Sequence, residues 1–111
     1  MNINPILLGL REVTGLEVEP DVYTGSAPEY ITFHYADERP ELYADDKPIA
    51  DTADIQVHLF TPGNYMNRKK IIRDYLEEKG FTGVSIQSLY EAETKLHHIV
   101  FECEWTEERE E

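Results

Sequence analysis

The chain has 111 residues and carries 23 Asp and Glu against 10 Lys and Arg, a formal net charge of -13. That length makes one domain able to bury roughly two-thirds of the surface its unfolded form exposes, and a 41% apolar content supplies a core without metals or disulfides. The charge argues against nucleic-acid or anionic-membrane partners, which need Lys and Arg to neutralise phosphate. The lone Cys103 cannot form an internal bridge, no apolar run approaches the ~20 residues that span a bilayer, and the N-terminus lacks a signal-peptide pattern. The expectation is a soluble intracellular protein whose partners are proteins.

Asn4 and Pro5 predict a helix start, with Ile6, Leu7, Leu10 and Val13 at helical spacing and Gly15 as the stop. From Leu16 to Pro28 the pattern is lost, although Val22 and Tyr23 suit a brief strand. Tyr30 to Tyr35 alternates, with Ile31, Phe33 and Tyr35 on one face. Ala36 to Asp51 is acidic and holds Pro40 and Pro48, so it reads as a long excursion between strands. Ile55, Val57 and Leu59 alternate with Gln56, His58 and Phe60 in a second strand that ends at Thr61, Pro62 and Gly63.

Asn64 is placed to cap a helix whose buried stripe is Ile71, Ile72, Tyr75 and Leu76, and Gly80 ends it with Phe81 folding back. Val84 to Tyr90 and Leu96 to Trp105 form a hairpin joined through Glu91 to Thr94. In its last strand Ile99, Phe101, Cys103 and Trp105 share one face, and Leu96, His98 and Val100 the other, as in a central strand or one that meets another subunit. The order α-β-β-α-β-β predicts a single α+β domain over residues 1–111, a mainly antiparallel sheet with two helices packed on it and an acidic, flexible end at 106–111.

Charge is unevenly spread. Met66 to Lys79 carries Arg68, Lys69, Lys70, Arg73 and Lys79 against Asp74, Glu77 and Glu78, whereas Glu102 to Glu111 holds six glutamates and one arginine. Such runs are often only solvated surface. A basic helix on an acidic body also pairs head to tail with a copy of itself, one route to a ring.

Reactive constellations are missing. His97 and His98 lie beside Glu102, but adjacent strand residues point to opposite faces and cannot share a metal. His34 and His58 are neighbours if their strands pair, yet two imidazoles without a third ligand make no metal site. The acidic stretch around Asp45 and Asp46 lacks the alternating ligands and central glycine of a calcium loop. Cys103 alternates with Phe101 and Trp105 and reads as a small buried hydrophobe. No phosphate-binding glycine loop, nucleophile elbow or zinc spacing occurs, so no cofactor and no enzymatic activity are expected. Tyr30, Tyr35, Tyr43, Tyr65 and Tyr90 fall at strand edges or in loops, where a polar-tipped aromatic suits an interface as well as a strand.

The series YITFHYAD, LYADDKPIAD and IQVHLFTPGNYMNRKKIIRDYLEEKGF resembles small tail terminator and tail-completion (head-tail joining) proteins of long-tailed bacteriophages and of prophages in Gram-positive bacteria. The likeness runs from about Tyr30 to Phe81 and is weaker in the first helix and final hairpin. It implies a non-catalytic ring, of six copies, that caps the tail tube, contacts the major tail protein and offers a surface to the head connector. Such a protein assembles in the bacterial host cytoplasm and ends in the virion tail.

By position, the resemblance puts subunit or tube contacts in Ala36 to Asp51 and Pro62 to Lys70. The interface candidates are Tyr35, Tyr43, Asp45, Asp46, Asn64, Tyr65, Arg68, Lys69, Lys70 and Arg73. Acidic groups in the loop (Asp37, Glu38, Glu41) or the tail (Glu107, Glu108), if they line the lumen of a ring, would keep exiting DNA off its wall. The competing reading is an acidic DNA mimic or another protein-binding inhibitor or interaction module.

Overall fold

The computed structural model describes residues 1–110. Its five strands are β1 (Glu17–Pro20), β2 (Tyr30–Ala44), β3 (Lys47–Thr61), β4 (Thr82–Glu91) and β5 (Leu96–Glu108), hydrogen-bonded in the order β1-β2-β3-β5-β4. Only β1 and β2 are parallel. Helices α1 (Asn4–Leu8), α2 (Leu10–Thr14) and α3 (Met66–Lys79) cover one face, and the expected single α+β domain is found. The brief strand lies at Glu17–Pro20 and not at Val22 and Tyr23, because Val18 is the residue that drops into the core, in register with Ile31.

Period-two alternation sends Ile31 and Phe33, Ile55, Val57 and Leu59, and Ile99, Phe101 and Cys103 to the helix-covered face. There they meet Leu7 and Leu10 from the N-terminal helices and Ile72 and Leu76 from α3, all buried. The predicted first helix is two short ones meeting at Gly9. A Cβ at Gly9 would collide with the Tyr75 hydroxyl, which donates to the Ile6 carbonyl at 2.6 Å. Gly80 takes the left-handed conformation (φ 106°) that ends α3, and the Phe81 amide donates back to the Leu76 carbonyl at 3.0 Å.

The segment from Ala36 to Asp51 departs from its expected form. Rather than a loop, it is the outer half of a β2-β3 hairpin, closed by a two-residue turn at Asp45 and Asp46 with φ of 52° and 64°. Its prolines are tolerated for a topological reason. β1 covers only Tyr30 to Phe33 of β2, and β5 reaches along β3 only as far as Ala50, so Pro40 and Pro48 each lie where one side of their strand is unpaired.

The expected flexible end is also corrected. Thr106, Glu107 and Glu108 continue β5 opposite Thr52, Asp51 and Ala50, and the Arg109 amide donates to the Ile49 carbonyl at 2.8 Å. Paired Thr52 and Thr106 hydroxyls (2.8 Å) help hold that extension; Glu111 lies outside the described residues. The result is a three-stranded arm that draws the molecule out to 52 × 24 × 23 Å.

Candidate functional site

A bulge between Tyr35 and Asp37 sets the chemistry of the arm. Tyr35 sits opposite Ile55 on the helix side, and uninterrupted alternation would send Asp37 to that side too. The extra residue turns Asp37 over to the open face, opposite Asp54 and in line with Glu104. Arg39 gathers these carboxylates, reaching Asp37 at 3.1 Å, Asp54 at 2.9 Å and Glu104 at 3.0 Å. The hydrogen bonds that the guanidinium donates to Asp37, then to Asp54, raise its pKa. Farther out, Arg109 grips Asp51 at 2.7 Å and lowers that carboxyl below its ordinary range.

The arm therefore unites the two acidic groups that the sequence kept apart. Asp37, Glu38 and Glu41 on β2, the turn residues Asp45 and Asp46, and Glu107 and Glu108 on β5 all belong to one projection. Near its tip Leu42 and Tyr43 are 60% and 62% exposed, and Leu42 takes a left-handed φ of 57°, costly for a branched side chain. Large apolar groups inside an acidic border have the composition of an interface patch.

Around α3 the candidate residues divide. The N-cap of α3 is Tyr65 and not the expected Asn64, which lies one residue earlier and whose side-chain oxygen accepts the Met66 amide at 3.0 Å. Tyr65 packs against the core, its ring tilted on His97 at 5.0 Å and the Lys69 ammonium 5.5 Å above it. Arg68 is engaged within the domain, pairing with Glu29 at 3.0 Å and donating to the Thr14 carbonyl at 2.7 Å. Lys70 and Arg73 make partly exposed pairs with Asp74, at 2.6 and 3.1 Å, and their hydrogen bonds lower the Asp74 pKa. Tyr35 anchors the N-terminus: its hydroxyl accepts the Ile3 amide and donates to the Asn4 side chain, each at 2.8 Å. Asn4 thus serves Tyr35 and does not cap α1.

The open face of the sheet carries a feature that sequence reading reached only in part. His34 and His58 are neighbours on β2 and β3, as expected, with rings stacked at 5.2 Å. His98 on β5 joins them, its Nε2 lying 2.7 Å from His58 Nδ1, so that one ring donates and the other accepts. The row continues through Phe60 (4.2 Å from His98), Tyr30 (4.8 Å from Phe60) and Tyr23 (3.9 Å from Tyr30). Burial first, then the neighbouring His98 and His34, lowers the His58 pKa to about 4; burial also lowers that of His98. His97 points the other way, between Tyr65 and Tyr90.

Among the described residues no group of three or more His, Cys, Asp or Glu is arranged to hold a metal ion; His34 stacks on His58, and His58 spends its Nδ1 on His98. The Cys103 thiol is pushed up to about 12 by burial, so it is no nucleophile at neutral pH. No described helix is long and apolar enough to cross a membrane.

No protein-family model matches the chain, and no curated protein matches it in sequence. In fold it is similar to a chain of a solved structure described as the virion of a native gene transfer agent (GTA) particle. The TM-score is 0.60 at 14% identity, over 90% of this chain and 84% of that one. At that identity the likeness shows a shared fold.

Proposed function

We propose that this protein is a non-enzymatic structural subunit of a phage-like particle, acting as a tail terminator or tail-completion protein. The observation that carries the reading is a fold shared across 90% of the chain with a component of a virion-like particle. In this role a ring of copies, six by the resemblance, caps the tail tube, contacts the major tail protein and receives the head connector. The ring forms in the bacterial cytoplasm and stays in the virion tail. The arm supplies what such a subunit needs, a projection with exposed Leu42 and Tyr43 for a neighbour or the tube and a dense set of carboxylates. Where those carboxylates face a lumen, their potential holds passing DNA off the wall.

Electron microscopy of tails assembled without this protein tests the reading. Overlong tubes without heads are the expected result. Tubes of normal length lacking heads would move the role to head joining, and normal virions would remove it.

A further inference from the structure

The open sheet face has a centre and a rim of different chemistry. Its centre is the stacked row of His34, His58, His98, Phe60 and Tyr30, beside Thr32 and Val100, each only 7% exposed although no helix covers them. Carboxylates stand at both ends, Glu91 at one and Asp37, Asp54, Glu102 and Glu104 at the other, with Arg39 among the latter. On the opposite side of the molecule α3 presents Lys69, Lys70, Arg73, Lys79 and the exposed Met66. That helix has 14 residues, about 21 Å at ~1.5 Å per residue, and the two shorter dimensions of the molecule are 24 and 23 Å.

We propose that the open face is the seat for α3 of a second copy, and that seating requires the hydrogen-bonded His58-His98 pair to stay unprotonated, so that acid releases it. The proposal rests on the ring reading above and says which surfaces meet. Charge complementarity selects the occupant, a helix that presents Lys69, Lys70, Arg73 and Lys79 over an acidic rim, Arg68 being held within its own domain. The surfaces lie on opposite sides of the sheet, so the contact is heterologous, the kind that closes into rings.

The proton dependence follows from what surrounds His58. β2 contributes His34 and Tyr30, β5 contributes His98, the loop before β2 contributes Tyr23, and Glu91 at the end of β4 is the carboxylate that faces His98 and Tyr30. With no carboxylate against His58 itself, a second proton on the His58-His98 pair sets two N–H donors against each other across 2.7 Å. The pair then opens, and the seat gains positive charge toward a positive helix.

Sedimentation velocity of the full chain at about pH 7.5 and about pH 5, at constant ionic strength, tests this. Oligomers are expected at the higher pH, with a weaker apparent Kd at the lower one that weakens further as the pH is stepped down toward the range where His58 takes its proton. The double variant His58→Phe and His98→Phe keeps the stacked row without its protons and is expected to associate equally at both pH values. Reversing Lys69 and Lys70 to Glu should weaken association, and adding Glu102→Lys and Glu104→Lys should restore it; circular dichroism verifies that each variant is folded. Association indifferent to the Lys69 and Lys70 reversal, acid release that persists in the double Phe variant, or a monomer at about pH 7.5 and every concentration overturns the proposal. Tail micrographs test the ring reading separately, so the two can fail independently.

Discussion

The two faces of the sheet are built by the same strands and the same alternation, yet they are different materials. On β3 the helix side reads Ile55, Val57, Leu59 and the open side Gln56, His58, Phe60. The covered side is mainly aliphatic and phenyl surface removed from water, which stabilises by about 25 cal/mol per Å², and its few polar atoms, such as the Cys103 thiol and the Tyr35 hydroxyl, have partners. The open side mixes ring area with imidazole nitrogens and phenol oxygens, groups that remain soluble while exposed and still gain from being covered. One face holds the monomer together; the other is suited to a partner.

The largest effect that sharpens this contrast is a truncation on each side. Phe101→Ala should cost about 3–5 kcal/mol in urea unfolding, since its fully buried ring packs in the core under the helices. Phe60→Ala on the open face should cost under about 1.5 kcal/mol, because its ring is only half-buried in the isolated chain. Equal losses would abolish the distinction.

A second test probes the tight approach in the helix layer itself. Gly9→Ala should destabilise by about 1–3 kcal/mol, because the added methyl meets the Tyr75 hydroxyl. In a Tyr75→Phe background most of that cost should vanish, since the colliding oxygen is gone. A double-mutant cycle with no coupling between the two positions would refute the close contact.

Acid is the third probe, and its sign is determined. The folded pKa of His58, about 4, lies below the ordinary 6.5, so between those values the unfolded chain binds more protons. Stability is therefore fully present above about pH 6.5 and declines as pH falls toward 4. Because His58 is half-buried, solvent screening reduces the contribution to about 1–2 kcal/mol. Unfolding free energies measured across that window should fall toward acid in the native chain. Replacing His58 by Phe should flatten the part of the slope that it supplies.

What could be read from the chain, and what could not, follows the range of the deciding interaction. Helix α3 with its Gly80 stop, the facing of Ile55, Val57 and Leu59, and the nearness of His34 and His58 depend on periodicities visible within a dozen residues. The third imidazole was not legible, because His98 reaches His58 only through the placement of β5 beside β3, 40 residues away in sequence. The strand character of the arm is hidden for a related reason. Pro40 and Pro48 forbid a strand only where both sides are paired, and the shortness of β1 and the reach of β5 decide that. The strand character of Thr106 to Glu108 depends on Thr52 and Asp51, equally remote in sequence.

The smallest expected effect on stability falls on the arm, and for that reason it tests function most cleanly. Leu42 holds a left-handed φ with its side chain largely in water, so Leu42→Gly removes backbone strain and little buried area. Stability should change by no more than about 0.5–1 kcal/mol, with the sign favouring the variant. A residue kept strained and greasy at an exposed tip, without benefit to the monomer, is explained if the tip seats on a neighbour or on the tube. Leu42→Gly combined with Tyr43→Ser should therefore leave the melting temperature within a few degrees while producing tails that fail to finish or join heads. Normal tails from that double variant would separate the tip from assembly and leave the carboxylates as the arm's only candidate contribution.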